Sequence, residues 1–195
     1  MGRLMYLFSW FFRAKFGKVK RPLQTVLFIS DQCNLACRHC SVYRKEHPHI
    51  KSYEQVRKEL EYSFALGSRF VDFEGGEPMI WRDGEKNIND LVRLARQIGF
   101  FSVTITTNAQ VPFKGCEADS IWVSLDGLGK YHDQSRGEGT FARLIKNIED
   151  IKNSVNTVEF GGDDITKILI KHKKLTGYKL SEKLFEEFNV EDEKT

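Results

Sequence analysis

Four cysteines, no apolar run of bilayer-spanning length and very little net charge set the first limits on this 195-residue chain. The apolar run from Leu4 to Phe12 is about half of the ~20 residues that a spanning helix needs, and Ser9 interrupts it. Arg13-Ala14-Lys15-Phe16 is a poor match to the small-residue pattern of a signal-peptide cleavage site. A net charge of +3 is too small to imply a nucleic-acid partner. The run Lys171-His172-Lys173-Lys174 has no interleaved aromatics and reads as a solvated charge run. The cysteines are too unevenly placed for a disulfide framework: three fall within residues 33–40 and Cys116 stands far off. That is a metal pattern. Thiols kept for metal need a reducing compartment, so a cytoplasmic protein is expected. The ordinary remainder, 41% hydrophobic and 29% charged, fits one soluble domain large enough for a core.

Another absence is local. Residues 1–21 contain no acid, but hold Arg3, Arg13, Lys15, Lys18, Lys20 and Arg21 among Leu4, Met5, Tyr6, Leu7, Phe8, Trp10, Phe11, Phe12 and Phe16. Two readings follow. The segment, through residues 4–16, is an interfacial helix on an anionic membrane surface, or it is a cap helix packed on the domain. The chain then divides into this basic aromatic segment (1–21), a core (22–160) and an atypical helical tail (161–195).

Within the core, Gln24 to Ile29 reads as a buried strand. Ser52 opens a helix with Gln55 as its capping-box partner, Tyr53, Val56, Leu60 and Phe64 on one face, and Gly67 as its left-handed stop. Arg69 to Phe73, Phe101 to Thr106 and Ile121 to Leu125 read as further strands, with a helix from about Ile88 to Ile98 ended by Gly99. Thr140 is expected to cap a helix burying Phe141, Leu144, Ile145, Ile148 and Ile151, and Val155 to Phe160 is a weaker fifth strand. After a break at Gly161-Gly162, Ile165, Ile168 and Leu169 suggest one short helix, and Leu184, Phe185 and Phe188 another. No sixth strand is expected. Strands alternating with helices predict an α/β fold with a parallel sheet, its strand C-termini along one edge. The polar, glycine-rich segments follow strand ends, and that edge is where sites sit in such folds.

The cysteine segment carries the chemistry. Cys33-x₃-Cys37-x₂-Cys40 offers three soft ligands. His39, His47 or His49 would complete a zinc site, although no second knuckle is present. Alternatively, three thiols leave one iron of a four-iron cluster open. The order of motifs resembles the radical S-adenosylmethionine (SAM) superfamily: this cysteine triad after the first strand, Gly75-Gly76-Glu77-Pro78 after the second, Thr107-Asn108 after the third with Ala109 in place of glycine, and Ser124-Leu125-Asp126-Gly127 after the fourth. His132-Asp133, Arg136-Gly137 and Thr140-Phe141 are similar to the subfamily of sulfatase-maturating, SPASM peptide-modifying and molybdenum-cofactor-synthesis enzymes.

That resemblance, over roughly residues 24–152, implies a partial (β/α) barrel, incomplete here, and two cofactors, a [4Fe–4S] cluster and SAM. Cys33, Cys37 and Cys40 would ligate the cluster. Gly75, Gly76, Glu77 and Pro78 would line the SAM ammonium, with backbone close to the ligand. Ser124 and Arg136 would meet its carboxylate, Asn108 its ribose, and His39 would stand near the adenine. Each has a plainer alternative: a strand-end turn for the glycines, an ion pair to Asp133 or Glu138 for Arg136, a turn cap for Asn108, and turn shaping for Asp126. Cys116 reads as a small buried hydrophobe, and no cysteines follow it to build an auxiliary-cluster domain. The implied activity is reductive SAM cleavage for modification of a peptide or small metabolite, fed by a donor such as a flavodoxin or ferredoxin. The alternatives are a truncated relative that only binds the cluster, and a zinc-binding interaction module.

Overall fold

The computed structural model describes residues 2–18, 20–40, 46–150, 157–161 and 169–171. A six-stranded sheet organises them in the order β1 (Gln24–Ser30), β2 (Phe70–Gly75), β3 (Ser102–Thr107), β4 (Ser120–Ser124), β5 (Thr157–Gly161) and β6 (Leu169–Lys171). The first five strands run parallel; β6 is antiparallel to β5. Strand order follows chain order, as expected when each crossover places the next strand beside the last. Among the described residues the sheet does not close on itself, since β1 and β6 have one neighbour each.

Buried parallel sheets usually read as continuous apolar runs because both faces are covered. These strands alternate instead. Leu27, Ile29, Val71, Phe73, Val103, Ile105, Ile121 and Val123 are buried against helices. The opposite face carries Val26, Asp72, Thr104 and Ser120 in one register row, and Val26 and Phe28 on it are about half exposed. One face is therefore a core and the other an open, polar interior.

The helices form for local reasons. In α2 (Tyr53–Leu66), Ser52 and Gln55 make the expected capping box, and Gly67 stops the helix at φ 117°. In α3 (Ile88–Ile98), Asn87 and Asp90 make a second box and Gly99 ends the helix at φ 113°. The N-terminal helix α1 (Arg3–Phe16) buries no residue completely.

Three expectations are corrected. Thr140 is not the cap of α5 (Thr140–Glu149): Gly139 holds the cap position without a side-chain bond, and Asp133 accepts hydrogen bonds from Gly139 N, Phe141 N and Thr140 Oγ1. Leu169 belongs to strand β6, not to a helix, because Leu169–Lys171 pairs with Glu159–Thr157. That pairing is also the sixth strand the sequence did not announce. A short helix, α4 (Lys130–Arg136), precedes α5. The helices suggested around Ile165 and Leu184 to Phe188, and the side chain of Ile151, lie outside the described residues.

Candidate functional site

The loops after β1, β2, β3 and β4 meet at the C-terminal edge of the sheet. Gly76 N donates to Ser30 O at 2.7 Å and Glu77 N to Gln32 O at 2.8 Å, tying the start of the cysteine loop to the Gly-Gly turn. A Cβ on Gly75, whose φ is 144°, would collide with the Ser30 carbonyl, and one on Gly76 with the Gln32 carbonyl. The close approach that these glycines permit is therefore to the chain's own backbone.

Glu77 is fully buried. Its carboxylate accepts from Thr107 Oγ1 at 2.7 Å, Asn108 N at 2.7 Å and Met79 N at 3.0 Å. Burial pushes its pKa up, and these donors pull against that rise. Pro78 is buried at the start of the 3₁₀ turn Pro78–Ile80 that Glu77 caps. Glu77 thus clamps the β2 and β3 loops together.

Asn108 turns that clamp toward the cysteines. Its Nδ2 donates to Asn34 Oδ1 at 2.8 Å and approaches Cys33 Sγ at 3.7 Å, while its Oδ1 accepts from Gln110 N at 3.0 Å. It both caps a turn and touches a predicted ligand. Ala109, where the related motif has glycine, holds φ 56°, the left-handed region.

On the other side, Arg38 N donates to Ser135 O at 3.0 Å, docking the cysteine loop on α4. Arg136 makes a two-point fork to Asp126, Nε to Oδ2 at 2.7 Å and Nη2 to Oδ1 at 2.8 Å. Its partner is Asp126 rather than the Asp133 or Glu138 considered from sequence. Ser135 Oγ donates to Asp126 Oδ2 at 3.0 Å and lies 2.9 Å from His39 Nδ1; His39 Nε2 is 3.6 Å from Asp126 Oδ2. Burial acts to raise the Asp126 pKa, but Arg136, Ser135 and His39 outweigh it and hold the carboxyl below the usual range. Asp126 therefore fastens α4 and the cysteine loop to the end of β4.

The three thiols share this frame. Cys37 is buried and Cys33 and Cys40 are partly so, with no disulfide among the cysteines. Burial pushes the Cys33 and Cys37 thiols up; Arg136 pulls Cys37 down, and each feels Cys40. Among the described residues no three His, Cys, Asp or Glu side chains, the three thiols included, are gathered around one metal-sized position. Three thiols with no fourth protein ligand suit a four-iron cluster with one open iron, since each iron needs its own thiolate. Cys116 packs at the rim of the core, as expected of a small hydrophobe.

Below the edge, the open face of the sheet encloses a cavity of about 590 Å³ lined by Val26, Asp72, Glu74, Thr106, Trp122 and Ser124 among others. Asp72 accepts from Thr106 Oγ1 at 3.1 Å. Burial and the neighbouring Glu74 raise its pKa to about 7. Sequence reasoning missed this carboxyl pair, the Glu77 clamp and the Asp126 hub. A signal for the pair existed: acids at alternate positions in Val71-Asp72-Phe73-Glu74 share the face opposite the apolar pair.

Comparison with known proteins agrees in region. A model of the radical SAM superfamily matches residues 27–166. GTP 3′,8-cyclase from Clostridium botulinum is 29% identical over 133 residues, covering 62% of this chain and 40% of that protein. Among solved structures, Streptococcus suis SuiB bound to S-adenosylmethionine is 25% identical with a TM-score of 0.58, over 72% of this chain and 33% of SuiB. SuiB bound to its precursor peptide SuiA matches with a TM-score of 0.62 at 23% identity, over 82% of this chain and 37% of that one. Methylornithine synthase shares the fold at 16% identity, with a TM-score of 0.59, over 82% of this chain and 50% of that one. The chain spans about 40% of the length of the cyclase it matches.

Proposed function

The chain belongs to the radical SAM superfamily, and on that premise we propose that it reductively cleaves SAM to modify a peptide or small metabolite. Its cofactors are those of the family, a [4Fe–4S] cluster and SAM. Held by Cys33, Cys37 and Cys40 and by the loops after β2 to β4, they would supply one-electron reductive cleavage of the SAM carbon–sulfur bond and, through it, hydrogen-atom abstraction from the substrate. The electron comes from a protein donor such as a flavodoxin or ferredoxin.

The chain's own residues hold and orient. Cys33, Cys37 and Cys40 bind the cluster. Asn108 supports the Cys33 thiolate through Nδ2. Arg136 gives two donors to Asp126 and keeps its remaining N–H groups for the SAM carboxylate. Ser124 adds a hydroxyl beside it. Gly75 and Gly76 let the SAM-facing turn sit tightly on β1, while Glu77 and Pro78 hold that turn in shape. His39, fixed by Ser135, lies beside the last cysteine. The observation that carries the reading is the convergence on one loop, where Asn108 Nδ2 stands 3.7 Å from Cys33 Sγ and the Arg136 charge reaches Cys37.

The substrate classes come from the relatives: a nucleotide for the cyclase, a precursor peptide for SuiB. A cavity lined by hydroxyls, Trp122 and two carboxyls, below the thiols, suits a polar substrate of either kind. The experiment is anaerobic reconstitution with iron and sulfide, followed by SAM and a strong one-electron reductant. Iron retention that Cys37→Ala abolishes, together with 5′-deoxyadenosine formation, is expected. A loaded cluster without SAM cleavage favours the second reading, a cluster-binding relative without turnover, which the open sheet supports. One equivalent of zinc with no iron retained rejects both.

A further inference from the structure

Helix α1 is amphipathic in the inverted sense. Toward the domain it presents Tyr6 and Trp10. The Tyr6 hydroxyl donates to Gly67 O and Trp10 Nε1 donates to Arg21 O at 2.9 Å. Tyr6 meets Phe101 edge-on at 5.5 Å between centroids, and Arg69 lies 5.0 Å over the Tyr6 ring. Away from the domain it presents Leu4, Met5, Phe8, Phe11, Phe12 and Phe16, exposed by 44% to 84%. At 100° per residue these six fall on one continuous side, opposite Tyr6 and Trp10. A helix that only capped the core would turn its phenylalanines inward. This one is held by two rings with polar handles and turns its apolar side out, where no described residue covers it.

From this we infer that α1 docks the protein on an anionic lipid bilayer, apolar side inserted among the acyl chains. Charge selects this occupant. No acid occurs in residues 1–21; Lys15 lies within the apolar side and Lys18 and Lys20 follow the helix, while Arg13 stands on the side of Tyr6 and Trp10. Lys15 Nζ lies over the rings of Phe11 and Phe16, at 5.9 and 5.5 Å, which puts a cation on the apolar side itself, at the end of a long stem that can carry it up to a phosphate on docking. A second copy of the chain packed on this side would set basic groups against basic groups with no carboxylate between them. Anionic headgroups supply the missing charge.

The docking also orients the molecule. Arg21, Gly67 and Phe101, which α1 touches, directly precede β1, β2 and β3, whereas the thiols, Gly75-Gly76 and Asn108 follow those strands. The bilayer is therefore against the N-terminal edge of the sheet, and the edge assigned to chemistry under the proposed function faces away from it. The substrate class is then water-borne, not a lipid chain.

The test sediments the full chain with vesicles of phosphatidylcholine, with and without phosphatidylglycerol. Binding that needs phosphatidylglycerol is expected, with a loss of roughly tenfold or more in Lys15→Glu/Lys18→Glu and in Phe8→Ser/Phe12→Ser. These side chains point outward, so the fold survives the changes. With brominated acyl chains, new fluorescence from Phe8→Trp is quenched and that of Trp10 is spared. Absence of binding, indifference to phosphatidylglycerol, full binding by Phe8→Ser/Phe12→Ser, or quenching of Trp10 alone overturns the proposal. So does a concentration-dependent dimer that Phe8→Ser/Phe12→Ser dissolves. Vesicle binding needs no cluster and should persist in Cys37→Ala, so its failure leaves the SAM chemistry standing, and the reverse.

Discussion

Asp72 and His132 pull the pH dependence of stability in opposite directions. Burial, then Glu74, raise the Asp72 pKa from 3.8 to about 7. The folded state then binds this proton more tightly than the unfolded chain, so stability is gained as pH falls from 7 toward 4 and lost as pH rises through that window. His132 is fully buried, accepts from Asp126 N at 3.3 Å, and its Nε2 finds no partner among the described residues. Burial, then Arg136, lower its pKa from 6.5 to about 4. Here the unfolded chain binds the proton more tightly, so stability falls as pH drops from 6.5 to 4. The two slopes largely cancel over that shared range. Asp72→Asn removes one of them. The variant should be more stable than wild type at pH 8, by at most about 4 kcal/mol, and should lose stability steeply from pH 6.5 to 4.5. Urea midpoints across pH 4.5–8 check both limbs.

Glu77 shows what one residue type conceals in a sequence. The motif was legible as a strand-end turn next to a ligand, but a carboxylate in the string gives no sign of accepting from the next strand's loop. Gln at this position keeps the shape but places an NH₂ where a backbone or hydroxyl donor points. Glu77→Gln should cost about 2 kcal/mol, the loss of a charge-assisted bond with a donor left unpaired, read as a lower urea midpoint with unchanged slope.

At the scale of elements, the legible parts were those specified by their own residues. α2 and α3 carry apolar stripes and glycine stops, and β3 alternates as written. What was not legible depends on a partner. α4, Lys-Tyr-His-Asp-Gln-Ser-Arg, has no apolar period and is too short to form alone. It exists because the Asp126 fork and Arg38 N hold its end and because its Asp133 caps α5. β6 likewise reads as helix until β5 supplies the pairing. α4 is therefore the joint between the cysteine loop and β4, and a test can target its fork. Lys retains the charge at 136 but cannot make two parallel bonds to Asp126. Arg136→Lys should retain fold and α5 but loosen the loop, seen as a several-fold lower iron-to-protein ratio after reconstitution. Asp133→Ala, which removes only the α5 cap, should lower stability by about 1 kcal/mol and leave iron retention near wild type.

At the scale of the whole molecule, the alternation of strands and helices announced a parallel sheet with its polar segments on one edge, and the family resemblance implied an incomplete barrel. The sequence could not announce how the edge is tied. Four separate loops are joined there through Ser30–Gly76, Glu77–Asn108, Asn108–Asn34, Ser135–Arg38 and Arg136–Asp126. These ties span residues 30–136, so the cysteine loop touches loops from every parallel unit that the first four strands begin. Anything that binds the three thiols in the folded state alone must stabilise all of those units together, by linkage. In a sheet that does not close on itself among the described residues, that coupling matters more than in a closed barrel. Anaerobically reconstituted protein should therefore unfold at higher urea than metal-free protein in one cooperative transition, by about 2 kcal/mol or more. Chelator stripping should return it to the metal-free midpoint, and Cys37→Ala should show no difference between the two preparations. A shift confined to a separate early transition would mean that the loop is fastened to itself and not to the sheet. The ties through Glu77 and Asp126 predict the single transition, and Glu77→Gln should lower the midpoint of both preparations equally, because its clamp does not depend on the thiols being occupied.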